Sequence, residues 1–176
     1  MENPESANPI RNVSDTALWV AVYRAMESER KDALFHDPFA RRLAGERGQA
    51  IVDAMPRGKE LAWAMIVRTA VMDELILQCI RDGATSVLNL AAGLDTRAYR
   101  LDLPASLHWY HVDFPPMVEY VKDKLTGEKP RCALEYVAAD LREPEQRDSI
   151  FRKAAENGPV LVITEGLLVY LPAENV

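Results

Sequence analysis

Residues 86–93 read SVLNLAAG, a short apolar run closed by a glycine. Three more runs of the same kind follow: HWYHVDFP at 108–115, ALEYVAAD at 133–140 and PVLVITEG at 159–166. Runs this short, bounded by Gly, Pro and Asp, read as strands. Between them lie helical patterns at Pro116–Thr126 and Glu145–Asn157. Strands alternating with helices predict a βαβαβαβ unit, a parallel sheet with helices on its faces.

Upstream of Ser86 the pattern is helical. The run from Lys59 to Arg81 is the longest, with Leu61, Met65, Met72, Leu75, Ile76 and Cys79 as its expected apolar stripe and Gly83 as its stop. Thr16–Arg30 predicts another helix, with Leu18, Val22 and Met26 at helical spacing and Ser14 or Asp15 as its cap. A short helix is expected through PFARRLAG at 38–45, ended by Gly45. Residues 1–13 carry Pro4, Pro9 and three Asn and read as a tail. The predicted organisation is therefore a flexible tail (1–13), an N-terminal helical cap (14–83) and a Rossmann-like half (84–176), together one α/β domain. Leu171–Val176 reads as the first turn of a further helix, with Pro172 near its start. A last strand this apolar would leave a sheet edge exposed. The sequence is therefore expected to be C-terminally truncated, or to have that edge covered by another chain, which includes self-association through the last strand.

The 176 residues carry a formal net charge of −6, which argues against a nucleic-acid backbone or an anionic membrane surface as the main partner. Cys79 and Cys132 stand far apart in apolar patterns and are expected to be buried thiols. No Cys/His cluster has zinc spacing, and no metal is expected. The N-terminus has no apolar signal segment and no run approaches a membrane span, so a cytoplasmic protein is the default.

In open parallel sheets ligands bind outside the carboxyl ends of the strands, and the candidate residues, Arg68 apart, fall at such ends. AAGLDT at 91–96 follows the first strand, and its Gly93 allows the backbone to approach a ligand closely. With one glycine it is not a pyrophosphate loop; it suits a nucleoside without phosphates, or is a plain turn. Asp113 ends the second strand twenty positions beyond Gly93, placed to accept from two ribose hydroxyls; the alternative is a helix N-cap. Asp140 and Leu141 follow the third strand, where the acid could accept from an adenine amino group and the leucine could cover the ring and offer its amide; the alternative is a surface loop acid before the next helix. Glu165 follows the fourth strand and could neutralise an ammonium or steady a sulfonium, or serve as a helix N-terminal charge.

Arg68 sits on the apolar stripe of the long helix, between Met65 and Met72. An arginine there must find an anion or extend its head to water. It reads as a clamp on a ligand carboxylate, with a pair to a core acid such as Asp73 or Glu74 as the alternative. His36, His108 and His111 complete the set of titratable candidates; the two on the second strand are expected to pack in the core or at an edge. No nucleophile stands with a base, and no catalytic residue is assigned.

Taken together, TALWVAVYRAMESERKDALFHDPFARRLAG, VRTAVMDELI, VLNLAAGLDTRAYRL, YHVDFP, AADLRE and TEGLLVYL resemble the leucine carboxyl methyltransferase-like group, from about Thr16 to the last residue. Within it, the chain is most similar to bacterial O-methyltransferases, including those linked to polyketide pathways. The resemblance implies a class I S-adenosylmethionine-dependent methyltransferase. Arg68 would hold the methionine carboxylate, Gly93 would line the cofactor loop and Asp113 would take the ribose. Asp140 and Leu141 would take the adenine, and Glu165 the methionine end. It also implies a domain longer than this chain, with much of the acceptor pocket in the part not present. The acceptor is expected to be a small molecule; a carboxylate is ionised at neutral pH and needs no base, whereas a hydroxyl needs one. The competing readings are a nicotinamide-dependent oxidoreductase and a non-catalytic cofactor-binding module.

Overall fold

A computed structural model describes residues 13–55 and 57–170 of the chain. The expected tail, apart from residue 13, and the expected helical turn at 171–176 lie outside the described residues. The chain forms two compact units that divide between Thr69 and Ala70.

In the first unit, α1 (Val13–Ser28) packs on α2 (Ala40–Ala54). Helix α1 starts early enough that Asp15 lies inside its first turn, so Asp15 is not the cap the sequence suggested. It is buried and takes a two-pronged contact from Arg47 of α2, Nε to Oδ1 at 2.8 Å and Nη2 to Oδ2 at 2.5 Å. Gly45 does not end its helix either. It takes φ 58°, breaks the regular winding for one residue, and the chain resumes as helix to Ala54. Gly48, in that second half, is a packing residue: a Cβ there would stand 2.9 Å from the Leu18 carbonyl oxygen of α1. The connection between the helices is tied by the buried Arg24–Asp37 pair at 2.9 Å and by the Leu34 amide, which donates to Glu27 Oε1 at 2.7 Å.

Helix α3 (Gly58–Arg81) crosses the boundary between the units, and Gly83, at φ 108°, follows its end. From Ala62 onward its buried positions are Ala62, Ile66, Thr69, Asp73 and Ile76, a stripe spaced by alternating steps of four and three. The expected stripe is displaced from this one. Ile76 belongs to both, Leu75 is 54% exposed, Met65, Met72 and Cys79 are half-buried, and the Leu61 side chain lies outside the described residues. Two of the five buried positions are polar, so counting apolar residues alone misplaces the face.

The second unit holds the sheet: β1 (Ser86–Leu90), β2 (His108–Asp113), β3 (Ala133–Ala138) and β4 (Val160–Ile163), all parallel, in the order β3-β2-β1-β4. This is the α/β, Rossmann-like arrangement the alternation predicted. Between the strands run α4 (Arg97–Arg100), α5 (Pro115–Lys124) and α6 (Pro144–Ala155), and a 3-10 turn (Leu168–Tyr170) follows β4. Proline occupies the first helical position of α5 and of α6, where its missing N–H costs nothing. One sheet face gives Leu88, Leu90, Tyr110 and Val112 to an apolar cluster closed by Ala139, Leu141 and, from α6, Ile150 and Ala154. Side chains alternate along a strand, so Val87, Asn89, Trp109 and His111 face the other way. The strand order grows outward from β1 to β3 and then returns to place β4 on the other side of β1. Such a reversal opens a crevice at the carboxyl ends of the two strands.

Cys132 is buried, which pushes its thiol up to about 11, whereas Cys79 is only half-buried; both are free. Among the described residues no helix is long and apolar enough to cross a membrane, and no group of His, Cys, Asp and Glu is arranged to hold a metal ion.

Candidate functional site

The site is built at the carboxyl ends of β1, β2, β3 and β4. After Leu90 the backbone enters the left-handed region twice, at Ala91 (φ 51°) and at Gly93 (φ 54°). For a residue with a Cβ that conformation is unusual and carries strain, held here by the Ala92 amide, which donates to the Val112 carbonyl of β2 at 3.0 Å. The Gly93 amide then donates to Asp113 Oδ2 at 2.7 Å, and the Phe114 amide to Asp113 Oδ1 at 2.7 Å. Asp113 therefore fixes the loop after β1 to the end of its own strand. It does not cap α5, whose N-cap position is Phe114. Each carboxylate oxygen carries two lone pairs, so one amide at each leaves acceptor capacity on both.

At the end of β3, Asp140 accepts from Arg142 Nε at 2.9 Å and Nη2 at 2.6 Å, and from the Arg142 amide at 3.0 Å. Those bonds hold its carboxyl well below the ordinary range, at about 2. The Arg142 guanidinium also lies over the Phe114 ring, 5.8 Å from its centre. Leu141 is turned inward, 9% exposed, with its side chain in the apolar cluster, and its carbonyl accepts from Arg147 Nη1 at 3.0 Å.

Glu165 stands in the turn beyond β4 and accepts from Arg97 Nη1 at 2.9 Å. Arg97 opens α4, directly after the β1 loop, and is buried, as is Asp73, while Asp95 and Glu165 are half-buried. Its Nε donates to Asp73 Oδ1 of α3 at 2.7 Å, its Nη1 to Asp95 Oδ2 at 2.7 Å, and its own amide to Asp95 Oδ1 at 2.6 Å. Arg100 grips the same Asp73 at 2.6 and 2.8 Å. Burial alone would lower the Arg97 pKa, but Asp95, Glu165 and Asp73 outweigh it and raise it, so Arg97 stays charged.

A polar row crosses the sheet beneath this loop. Asn89, His111 and Tyr136 occupy matching positions on β1, β2 and β3. Asn89 Nδ2 donates to Asp95 Oδ2 at 2.9 Å, the His111 and Tyr136 rings stand 5.0 Å apart, and the Tyr136 hydroxyl pairs with that of Tyr99 at 2.9 Å. Burial lowers the His111 pKa against the opposing pull of Asp95, Asp113 and the Gly93 backbone. Burial, helped by the Tyr99 hydroxyl, raises that of Tyr136.

Of the residues singled out in the sequence, Gly93 and Asp113 are joined by a hydrogen bond; Asp140 and Leu141 follow β3 and Glu165 follows β4, the two edge strands of the same sheet. Arg68 lies in the first unit, half-buried on α3. Asp73, considered as its partner, is taken by Arg97 and Arg100. The sequence reading missed Arg97, Asp95 and Arg100, and gave Asp73 only as a core acid for Arg68. The available signal was Asp73, a carboxylate that a buried helix face tolerates only when paired. A strand mouth lined with carboxylates suits a ligand rich in hydrogen-bond donors and carrying positive charge, and disfavours a pyrophosphate.

The leucine carboxyl methyltransferase family model matches residues 17–176. A protein of Streptomyces coelicolor named "Putative S-adenosyl-L-methionine-dependent methyltransferase" is 37% identical over 92% of this chain and 60% of its own length. Proteins similarly named from Mycolicibacterium smegmatis and Mycobacterium tuberculosis are each 36% identical, over 93% and 92% of this chain and 59% and 58% of their own lengths. The chain thus spans about three-fifths of the length of these relatives. With a matching region that runs from α1 through all four strands, the chain belongs to the leucine carboxyl methyltransferase family.

Proposed function

We propose that this chain is the cofactor-binding part of an S-adenosylmethionine-dependent methyltransferase that acts on an oxygen, carboxylate or hydroxyl, of a small-molecule acceptor. The observation that carries the reading is the Gly93–Asp113 bond at 2.7 Å, because it sets an acidic acceptor directly beside a one-glycine loop at the switch point of the sheet. A ribose needs acceptors for two hydroxyls, and Asp113 retains acceptor capacity on both oxygens. Asp140 would accept from the adenine amino group, with the Leu141 amide at the ring. Glu165 would face the ammonium end, and Arg68 would clamp the carboxylate. The names of the relatives support the same cofactor.

The bound cofactor supplies an electrophilic methyl group on a sulfonium. The protein's part is to hold donor and acceptor in line and to keep water out, and alignment of this kind is worth roughly 7–11 kcal/mol. A carboxylate acceptor arrives ionised and asks for no proton transfer. The work falls to the cytoplasmic compartment in this reading, with no nucleic acid or membrane as partner. Calorimetric titration of S-adenosylhomocysteine against NAD tests it. S-adenosylhomocysteine binding with no NAD binding is expected, and the reverse overturns it in favour of a nicotinamide oxidoreductase. Cofactor binding without methyl transfer to any oxygen acceptor would identify a binding module instead.

A further inference from the structure

Glu165 lies outside the sheet, two residues past the end of β4 in the turn that leads to the 3-10 segment, so the strand alone does not fix its side chain. Its carboxylate accepts from Arg97 Nη1, at 2.9 Å. Arg97 is in turn clamped at two further points, on Asp73 of α3 and on Asp95 of the β1 loop, both at 2.7 Å. Arg97 therefore meets carboxylates 24 positions before it, two before it and 68 after it. The planar guanidinium can serve all three at once because its N–H donors point outward in fixed directions. A lysine ammonium in the same space is a compact point charge on a flexible stem and lacks that geometry. Arg97, Asp73 and Asp95 have side chains 6%, 9% and 8% exposed, whereas Glu165 is at 17%, so the clamp is buried and its most open member is Glu165.

We propose that Arg97 is a positioning residue that sets the Glu165 carboxylate against the ammonium end of the cofactor. This rests on the cofactor reading above and assigns a role to a residue that reading does not use. Arg97 itself touches carboxylates of the chain and acts through Glu165. Its loss should therefore be felt by a ligand that carries the amino-acid end and not by one that lacks it.

The test is calorimetric titration of S-adenosylhomocysteine and of adenosine into the unaltered chain, Arg97→Lys, Glu165→Gln and the double variant. Arg97→Lys is expected to weaken S-adenosylhomocysteine at least tenfold and to change adenosine less than twofold. In the Glu165→Gln background the same change should cost less than threefold, because the carboxylate it positions is already gone. Equal loss of both ligands, or effects that multiply independently in the double variant, overturns the proposal and leaves Arg97 as a fold-holding residue. If Arg97→Lys lacks a cooperative thermal transition, Glu165→Asp decides. It keeps the Asp73 and Asp95 contacts of Arg97 and withdraws the carboxylate by one methylene. The same selective loss is then expected, and unchanged S-adenosylhomocysteine affinity contradicts it. Failure of the unaltered chain to bind S-adenosylhomocysteine overturns the cofactor reading and this inference together. Binding that is indifferent to Arg97→Lys overturns the inference alone.

Discussion

The amide of Gly93 donates to the carboxylate of Asp113 at 2.7 Å, across twenty positions of sequence. With the Ala92–Val112 bond at 3.0 Å, it closes the loop after β1 onto the end of β2, and it is made by the acid proposed for the ribose. Asp113→Ala removes the acceptor for two backbone amides and for the proposed hydroxyls. A hydrogen bond to a charged group contributes about 1.5–3 kcal/mol, so S-adenosylhomocysteine affinity should fall roughly 10- to 150-fold, with a lower melting temperature. Calorimetry and a thermal melt check this, and unchanged affinity would remove Asp113 from the site.

Arg68→Ala should weaken S-adenosylhomocysteine and spare adenosine, since only the former carries a carboxylate. A charge-assisted, two-pronged contact is the kind of interaction at stake. Equal loss of the two ligands, measured by the same titrations, would refute the carboxylate role.

Asp140 carries a pH signature. Its folded-state value of about 2 lies below the ordinary carboxyl value of about 3.9. Its contribution to stability is therefore fully present above about pH 4, where both states are ionised, and is lost as pH falls toward 2. Because the side chain is on the surface, the contribution is small. Arg142→Ala should move the Asp140 pKa up toward the ordinary value in a carbon-detected NMR titration; no movement would mean that Arg142 is not its cause.

Gly48→Ala should destabilise the first unit. The new Cβ would stand 2.9 Å from the Leu18 carbonyl oxygen, a backbone atom that cannot swing away. Overpacking of this kind costs typically 1–3 kcal/mol, visible as a lower melting temperature. A melt equal to that of the unaltered chain would show that the two helices separate without penalty.

These residues also show what the sequence could and could not convey. The four strands were legible because each is a short apolar run between turn residues, and Gly93 and Asp113 were legible because each closes one. Gly48 was hidden because a glycine that permits close packing looks the same as one that breaks a helix. The buried face of α3 was misplaced onto Leu75 because Thr69 and Asp73 lie on the true face, and apolar periodicity does not count polar residues. Arg97 was missed for the related reason that its value lies in three carboxylates remote from one another in the chain. Ion pairs of this kind are set by tertiary geometry, which spacing along one strand or helix does not encode. Leu141 reads as a ring cover from its place after β3; its side chain lies in the apolar cluster with Ile150 and Ala154 of α6, a packing role that its position in the sequence does not reveal.

The most direct test of the account is a crystal structure of the chain with S-adenosylhomocysteine bound. The ribose hydroxyls are expected within hydrogen-bond distance of Asp113, the adenine at Asp140 and the Leu141 amide, and the amino-acid end at Glu165. A ligand seated away from the carboxyl ends of β1 and β2, with Asp113 untouched, would contradict it.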